Sequence, residues 1–313
     1  MATTTSITST YAGEFAGKYI SAALLSAPTL GNGNITIKPN IKYKEVVKKL
    51  ATASFIADAT CDFTPVGTVT LTERILQPKE LQVNLNLCKK DFHSDWDAIQ
   101  MGYSAFDVLP KTFADYLIAN ISQSVGAQME SAIWAGVDAA GSISGLTLMF
   151  KADSTVLDVT STGVTISASN VQAELAKVVA KIATTKIYSA GIKPVIYAAT
   201  DIVMNYMLSL GGFGASGLGA NGYLAQGPTG VQNAPLSFAG IQIIETPGLP
   251  TGEMVCAQKE NIWFGTGLMS DFNAVKVLDQ ADIDGSENVK FVMRFTAGVQ
   301  YGIGAEIVYY WAY

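Results

Sequence analysis

The chain has 313 residues, 49% hydrophobic and 15% charged, with a formal net charge of −6. Its 20 basic and 26 acidic residues compare with about 78 charges in an average soluble chain of this length. The acidic balance excludes recognition of nucleic acid through a basic face, though not its confinement. Cys61, Cys88 and Cys256, odd in number and far apart, exclude a disulfide framework.

This length predicts one large domain or two medium ones. So few charges on a chain with so full an apolar complement imply that much of its surface is covered by other copies. The N terminus is rich in Thr and Ser and lacks the basic and apolar regions of a secretion signal.

Residues 1–40 read as an extended arm, with a short helix expected over Tyr11 to Leu25 and breaks at Pro28, Gly31, Gly33 and Pro39. Asn40 is placed to cap a helix with Tyr43, Val46, Val47 and Leu50 on one face. Its other face would carry Lys44, Glu45, Lys48 and Lys49. From Val66 to Cys88 the period changes to two. Val69 and Leu71 alternate with threonines, and Leu81, Val83, Leu85 and Leu87 alternate with polar residues. Pro78 and the charges Glu73, Arg74, Lys79 and Glu80 lie between these runs, so the segment predicts a long antiparallel hairpin with a charged tip. A lone two-stranded hairpin is marginal in water, so its apolar side is expected to rest on other protein.

Pro110 suits a first helical turn, and a helix is predicted to run on to Trp134. Phe113, Leu117, Ile121, Val125, Met129 and Ile133 recur every four residues. That step overshoots the helical period by about 40°, so the stripe winds and the helix should touch several partners. After a Gly/Ser-rich stretch, Ser169 and Gln172 have capping-box spacing. Val171, Leu175, Val178 and Ile182 mark the buried face of the helix that follows, with Gly191 as its expected end. Lys193 to Ala198 reads as a strand, and Thr200 or Asp201 as the cap of a helix reaching Leu210.

Between Asp201 and Glu245, 43 residues carry no charge, and eight glycines fall between Gly211 and Gly230. A membrane-spanning helix needs about 20 mainly apolar residues, and glycine and polar residues interrupt every such window. A neutral loop covered by neighbouring protein is the remaining reading. Strands are predicted at Ile241–Ile244, Met254–Ala257, Ile262–Phe264, Val289–Ala297 and Glu306–Tyr310. Helices and strands mix without regular alternation, which gives an α+β class. No internal repeat is evident.

Candidate chemistry is thin. His93, the only histidine, stands beside Ser94, Asp95 and Asp97 without a nucleophile-elbow pattern, so it reads as structural. Gly212, Gly214 and Gly217 match dinucleotide-binding spacing but follow a helix rather than a strand. Asp279, Asp282, Asp284 and Glu287 surround Gly285 without the ligand series of a calcium loop. Lys38, Lys42, Lys44, Lys48 and Lys49 read as a solvated face, with contact to phosphates or acidic neighbours as the alternative. No catalytic, cofactor-binding or metal-binding residue is assigned, and no enzymatic activity is expected.

Four stretches, in order, carry a resemblance. They are TLTERILQPKELQVNLNLCKKDF, LPKTFADYLIANISQSVGAQMESAIWAG, FAGIQIIETPGLPTGEMVCAQKENIWFGTGL and VMRFTAGVQYGIGAEIVYY. The chain resembles major capsid proteins of tailed bacteriophages with the Hong Kong 97-type fold. The stretches correspond to an extended loop, a spine helix containing Glu130, Ile133, Trp134 and Gly136, the axial-domain strands, and the closing strands of a peripheral domain. The resemblance implies an N-terminal arm over 1–50, an extended hairpin loop over 51–92 and a peripheral domain with the spine helix over 93–138. It further implies an axial domain over 139–275 and closing peripheral strands over 276–313.

It also implies a virion capsid shell of hexamers and pentamers around packaged double-stranded DNA, held without sequence-specific contact. Assembly would take place in the host cytoplasm with portal and scaffolding proteins, and with no membrane or cofactor. No charged, helical scaffolding segment is evident at the N terminus, so scaffolding is expected from a separate protein or from a chain already processed. Glu73, Arg74, Lys79 and Glu80 in the hairpin are the expected contacts between subunits, with Phe213, Tyr223 and Leu224 in the neutral loop at a capsomer centre. Lys79 is also the candidate for a covalent crosslink of the kind some family members form. An encapsulin-like compartment enclosing cargo enzymes, a tail-tube or surface-layer protein, and a small oligomeric enzyme stand as alternatives.

Overall fold

The computed structural model describes residues 27–52, 69–88, 111–161, 164–185, 188, 191–210, 236–267, 274–281, 285–286 and 288–312. In chain order the described elements begin with α1 (Pro28–Gly31), β1 (Thr36–Lys38), β2 (Glu45–Thr52), β3 (Val69–Leu76) and β4 (Lys79–Cys88). Next come α2 (Lys111–Ala135), α3 (Leu146–Ala152), β5 (Leu157–Ser161), α4 (Val171–Ile182), β6 (Val195–Ala198) and α5 (Thr200–Leu210). The last are β7 (Ser237–Phe238), β8 (Ile241–Glu245), β9 (Met254–Ala257), β10 (Ile262–Thr266), β11 (Ala274–Asp279), β12 (Asn288–Tyr301) and β13 (Val308–Ala312). The α+β class holds.

A six-stranded mixed sheet has the order β5-β13-β9-β6-β8-β7. Successive side chains of a strand point to opposite faces, and both faces of this sheet are covered. Ile196, Ala198, Met254, Cys256, Val308 and Tyr310 meet α4 and α5 on one side. Val195, Tyr197, Val255, Ala257 and Tyr309 meet α2 and α3 on the other. That is why β6 and β9 are unbroken apolar runs rather than alternating ones. The face of α4 predicted from its spacing is the one buried: Val171, Leu175, Val178 and Ile182 are all fully enclosed. Each such side chain contributes roughly 1.5–3 kcal/mol.

The second sheet is built on β12. One edge of β12 pairs with β4 from Cys88↔Asn288 to Lys79↔Ala297. The other edge pairs with β11 and then β10. β12 alternates buried Val289, Phe291, Met293 and Phe295 with exposed Lys290 and Arg294, the pattern of a sheet packed on one face. β1 adds parallel to β10. Of the predicted α2 stripe, Ile121, Val125, Met129 and Ile133 are buried, while the side chains of Phe113 and Leu117 lie outside the described residues.

Five expectations need correction. The helix expected after Asn40 is strand β2, antiparallel to β3. Asn40 adopts a left-handed φ of 63° and turns the chain instead of capping it, and the β-branched pair Val46–Val47 suits a strand. The predicted hairpin is also re-paired. Both of its runs are strands, but β3 pairs with β2 and β4 with β12. Gln77–Pro78 cannot close a tight hairpin, since two-residue loops need positive φ, usually from Gly or Asn. Instead the chain passes at Gln77–Pro78 from pairing with β2 to pairing with β12, and Pro78 there lacks an N–H for either ladder.

From Ala27 on, the expected arm is packed: Ala27, Leu30 and Ile35 belong to the core. Ser169 does not cap α4; its hydroxyl meets Ser167, whose carbonyl accepts the N–H groups of Asn170 and Val171. Finally α4 stops at Ile182, and Gly191 closes a later turn on Tyr188 with φ of 81°. α3, β1, β5, β7 and β11 had no sequence expectation. The helix expected over Tyr11–Leu25, His93, the glycines 212, 214 and 217, and most of the acidic turn around Gly285 lie outside the described residues.

Candidate assembly surfaces

β2 and β3 form a two-stranded ribbon that joins neither larger sheet. Its register sets Val46 opposite Ile75 and Lys48 opposite Glu73. These four share the outer face, where Val46 and Ile75 are 46% and 48% exposed. Glu45, Val47, Arg74 and Leu76 share the inner face. Leu76 is fully buried, plugged against Gly265, where an added Cβ would meet its side chain at 3.0 Å. The ribbon thus turns an apolar pair flanked by opposite charges toward solvent.

At the ribbon's base each strand is tied to the body by one ion pair. On β3, Arg74 pairs with Asp153 and donates from Nε to the Gly302 carbonyl at 3.0 Å. Its guanidinium lies over the Tyr301 ring at 4.1 Å. The Tyr301 hydroxyl donates to Asp153 at 2.6 Å, and Thr155 donates to the other carboxylate oxygen from its N–H at 2.9 Å and its hydroxyl at 2.8 Å. Burial works to raise the Asp153 pKa, but hydrogen bonds from Tyr301, Arg74 and Thr155 outweigh it and hold the carboxyl well below its ordinary range. The same burial and the Asp153 charge push the Tyr301 phenol up. On β2, Glu45 accepts from Lys38 at 2.6 Å, and Lys38 lies 4.6 Å above the Trp263 ring.

Across the Gln77–Pro78 joint lies a different surface. Lys79 opens β4 and pairs with Asp138 in a largely exposed contact. A cleft of about 660 Å³ adjoins this pair, and a groove of about 800 Å³ continues between β4 and α2, lined by Leu81, Val83, Val125, Met129 and Phe295. A third surface is the outer side of α5. Ile202, Val203 and Tyr206 face the core, while Met204, Met207 and Leu208 are 55%, 39% and 49% exposed. The helix therefore has two apolar faces, and its only charge is Asp201, whose carboxylate accepts the Gly252 N–H at 3.1 Å.

The structure separates the residues expected at one charged tip. Glu73 is exposed on the ribbon and Arg74 is folded into its base, while Lys79 and Glu80 belong to the body edge. Lys79 therefore does not sit at a projecting tip. Phe213, Tyr223 and Leu224 lie outside the described residues. Sequence reasoning missed Val46 with Ile75, whose pairing depends on a register no local pattern reveals. It also missed Met204, Met207 and Leu208, although their i, i+3, i+4 spacing beside a second apolar set was legible. Among the described residues no three metal-ligating side chains cluster, and no helix is long and apolar enough to cross a membrane.

No protein-family model and no curated protein matches the chain. Solved structures do. A chain of the satellite phage P4 procapsid superposes with a TM-score of 0.57 at 10% identity, over 94% of this chain and 97% of that one. The capsid of a native GTA particle gives 0.58 at 12% identity, over 92% and 89%. The virus-like particle from Pyrococcus furiosus gives 0.50 at 8%, over 96% and 100%. At these identities the likeness is one of fold, and the chain has the Hong Kong 97-type capsid fold.

Proposed function

We propose that the chain is the major subunit of a capsid shell, assembling with copies of itself as hexamers and pentamers around packaged double-stranded DNA. The observation that carries this reading is the two-stranded ribbon, which leaves the body with an uncovered apolar pair, on a chain whose fold matches shell subunits over most of its length. A ribbon of two strands is marginal alone, and a neighbour's surface supplies the missing layer. The outer stripe of α5 leads into the uncharged stretch after Leu210. At a capsomer centre, a charge-free sequence avoids repulsion among five or six copies.

In this reading residues 1–50 form the arm, 51–92 the extended loop, 93–138 and 276–313 the peripheral domain, and 139–275 the axial domain. Glu73, Arg74, Lys79, Glu80, Phe213, Tyr223 and Leu224 remain the contact candidates from the sequence, now joined by Val46 and Ile75. Portal and scaffolding proteins are the further partners, the virion is the location, and assembly takes place in the host cytoplasm. The role is structural rather than enzymatic.

Light scattering and negative-stain imaging of the purified chain test this directly. Capsomers or closed shells are the expected result, and a monodisperse monomer at all ionic strengths would overturn it. The fold match to the Pyrococcus particle supports a second reading, an encapsulin-like compartment. Sequencing nuclease-protected nucleic acid from purified particles separates the two: packaged genomic DNA favours the capsid, and an enclosed protein cargo favours the compartment.

A further inference from the structure

The two ion pairs at the ribbon's base have matching construction. Each joins a cation to a carboxylate, each cation lies over an aromatic ring, and the rings belong to the neighbouring strands β10 and β12. Trp263 and Tyr301 come from adjacent registers of that strand pair, Trp263↔Gln300 and Ile262↔Tyr301. Adjacent registers point to opposite faces of the sheet, and Gly302, whose carbonyl accepts from Arg74 Nε, also lies close to the Trp263 ring. A Cβ there would meet Asn261 Oδ1 at 2.7 Å and the Trp263 ring at 2.9 Å.

Just beyond the clamps, the path of β3 into β4 is interrupted at Gln77–Pro78. Pro78 offers no N–H to the ladder, and Gly298 opposite it leaves no room for a side chain, since a Cβ would lie 2.8 Å from Pro78 Cα. A strand broken at one point and tied at the next can bend at the break and is stopped by the tie. Besides the Leu76 plug, a bond from Gln300 Nε2 to the Ile75 carbonyl at 3.0 Å supports the same length of β3.

We propose that Arg74–Asp153–Tyr301 and Lys38–Glu45–Trp263 act together as a paired clamp that fixes the angle at which the β2–β3 ribbon leaves the body, with Gln77–Pro78 as the joint it restrains. Arg74 and Glu45 are positioning residues: they touch the body, and through them the outer face of Val46 and Ile75 is aimed. Arg74 is the stronger element, because its planar fork meets a carboxylate, a carbonyl and a ring at once, which a lysine cannot reproduce. The importance of the angle for shell building rests on the proposed function; the clamp itself does not.

Hydrogen exchange on the unassembled chain tests the clamp separately from shell formation. In Asp153→Asn and Glu45→Gln together, amides of 45–52 and 69–76 should exchange about tenfold faster, while those of β4 paired with β12 stay at native rates. Arg74→Lys should give a smaller increase over the same segments. Unchanged ribbon exchange in the double variant would overturn the proposal. So would an equal rise throughout β12, which would mean loss of the sheet rather than release of the ribbon. Glu45→Gln alone changes a partly exposed carboxylate and keeps the measurement interpretable if the double variant folds poorly. If exchange responds but particle images are unaltered, the clamp stands and its role in assembly falls.

Discussion

The six-stranded sheet and the β2–β3 ribbon are both made of short strands rich in β-branched residues, yet they are held in opposite ways. In the sheet each face of β6 and β9 meets a helical layer, so one chain completes its own packing. In the ribbon the described inner-face side chains are tied down at the base by ion pairs and the Leu76 plug, and the outer face presents Val46 and Ile75 to water. Hydrophobic burial is non-directional and tolerates small displacements, whereas ion pairs and a guanidinium over a ring fix distance and angle. The molecule uses the first where bulk stability is needed and the second where a projecting element must be aimed.

The same substitution should have very different effects in the two regions. Val255 is fully enclosed between the Tyr197 and Tyr309 positions of its neighbouring strands. Val255→Ser removes buried carbon and inserts a hydroxyl, at an expected cost of about 3 kcal/mol. Val46→Ser, half-exposed, should alter stability by no more than about 0.5 kcal/mol. Urea unfolding of the unassembled chain measures both. Under the proposed function, particle yield should rank the other way for Val46→Ser combined with Ile75→Ser: nearly native stability with few closed shells. Equal stability losses at the two sites would show that the ribbon is packed by its own chain, and the contrast would vanish.

Acid should release the ribbon's tie before it disturbs the packed sheet. The Asp153 carboxyl is depressed in the folded chain, so its contribution is complete above the unfolded carboxylate value of about 3.9 and is lost as pH falls below it. The native chain should exceed Asp153→Asn by on the order of 2 kcal/mol from neutral pH down to about 5, with the gap closing below about 4. Unfolding curves at stepped pH give both lines. A gap that persists unchanged to pH 2, or one that opens as pH falls, contradicts the assigned role of Asp153.

What the sequence revealed follows the same division. Elements whose burial is decided locally were legible: the face of α4, the strand over Val289–Ala297, which lies within β12, and the run Met254–Ala257, which matches β9 residue for residue. Elements decided by a distant partner were not. Val46, Val47 and Leu50 fit a helix face as well as a strand, and only β3 alongside makes them a strand. The period-two pattern on both sides of Pro78 announced strands without naming their neighbours. Gln77–Pro78 did carry a signal against a tight turn, which the charged residues around it obscured. For the candidate site, Arg74 stood out as a charge, but its partner Asp153 lies 79 residues away and Tyr301 further still.

The smallest expected effect concerns Lys79, which the sequence marked as strongly as Arg74. Both are cations flanking the same joint, and both have an aspartate partner. The Arg74–Asp153 pair is 28% and 17% exposed at its side chains, against 44% and 60% for Lys79–Asp138. Water screens the second pair and competes for both of its ends, so its net worth is at most about 0.5 kcal/mol. Lys79→Ala should therefore leave urea stability and ribbon exchange at native values, and 0.5 M salt should erase any residual difference. A larger, salt-resistant loss would mean that Lys79 is held as firmly as Arg74. The clamp would then extend across the joint onto β4, and the ribbon would move with the body rather than against it.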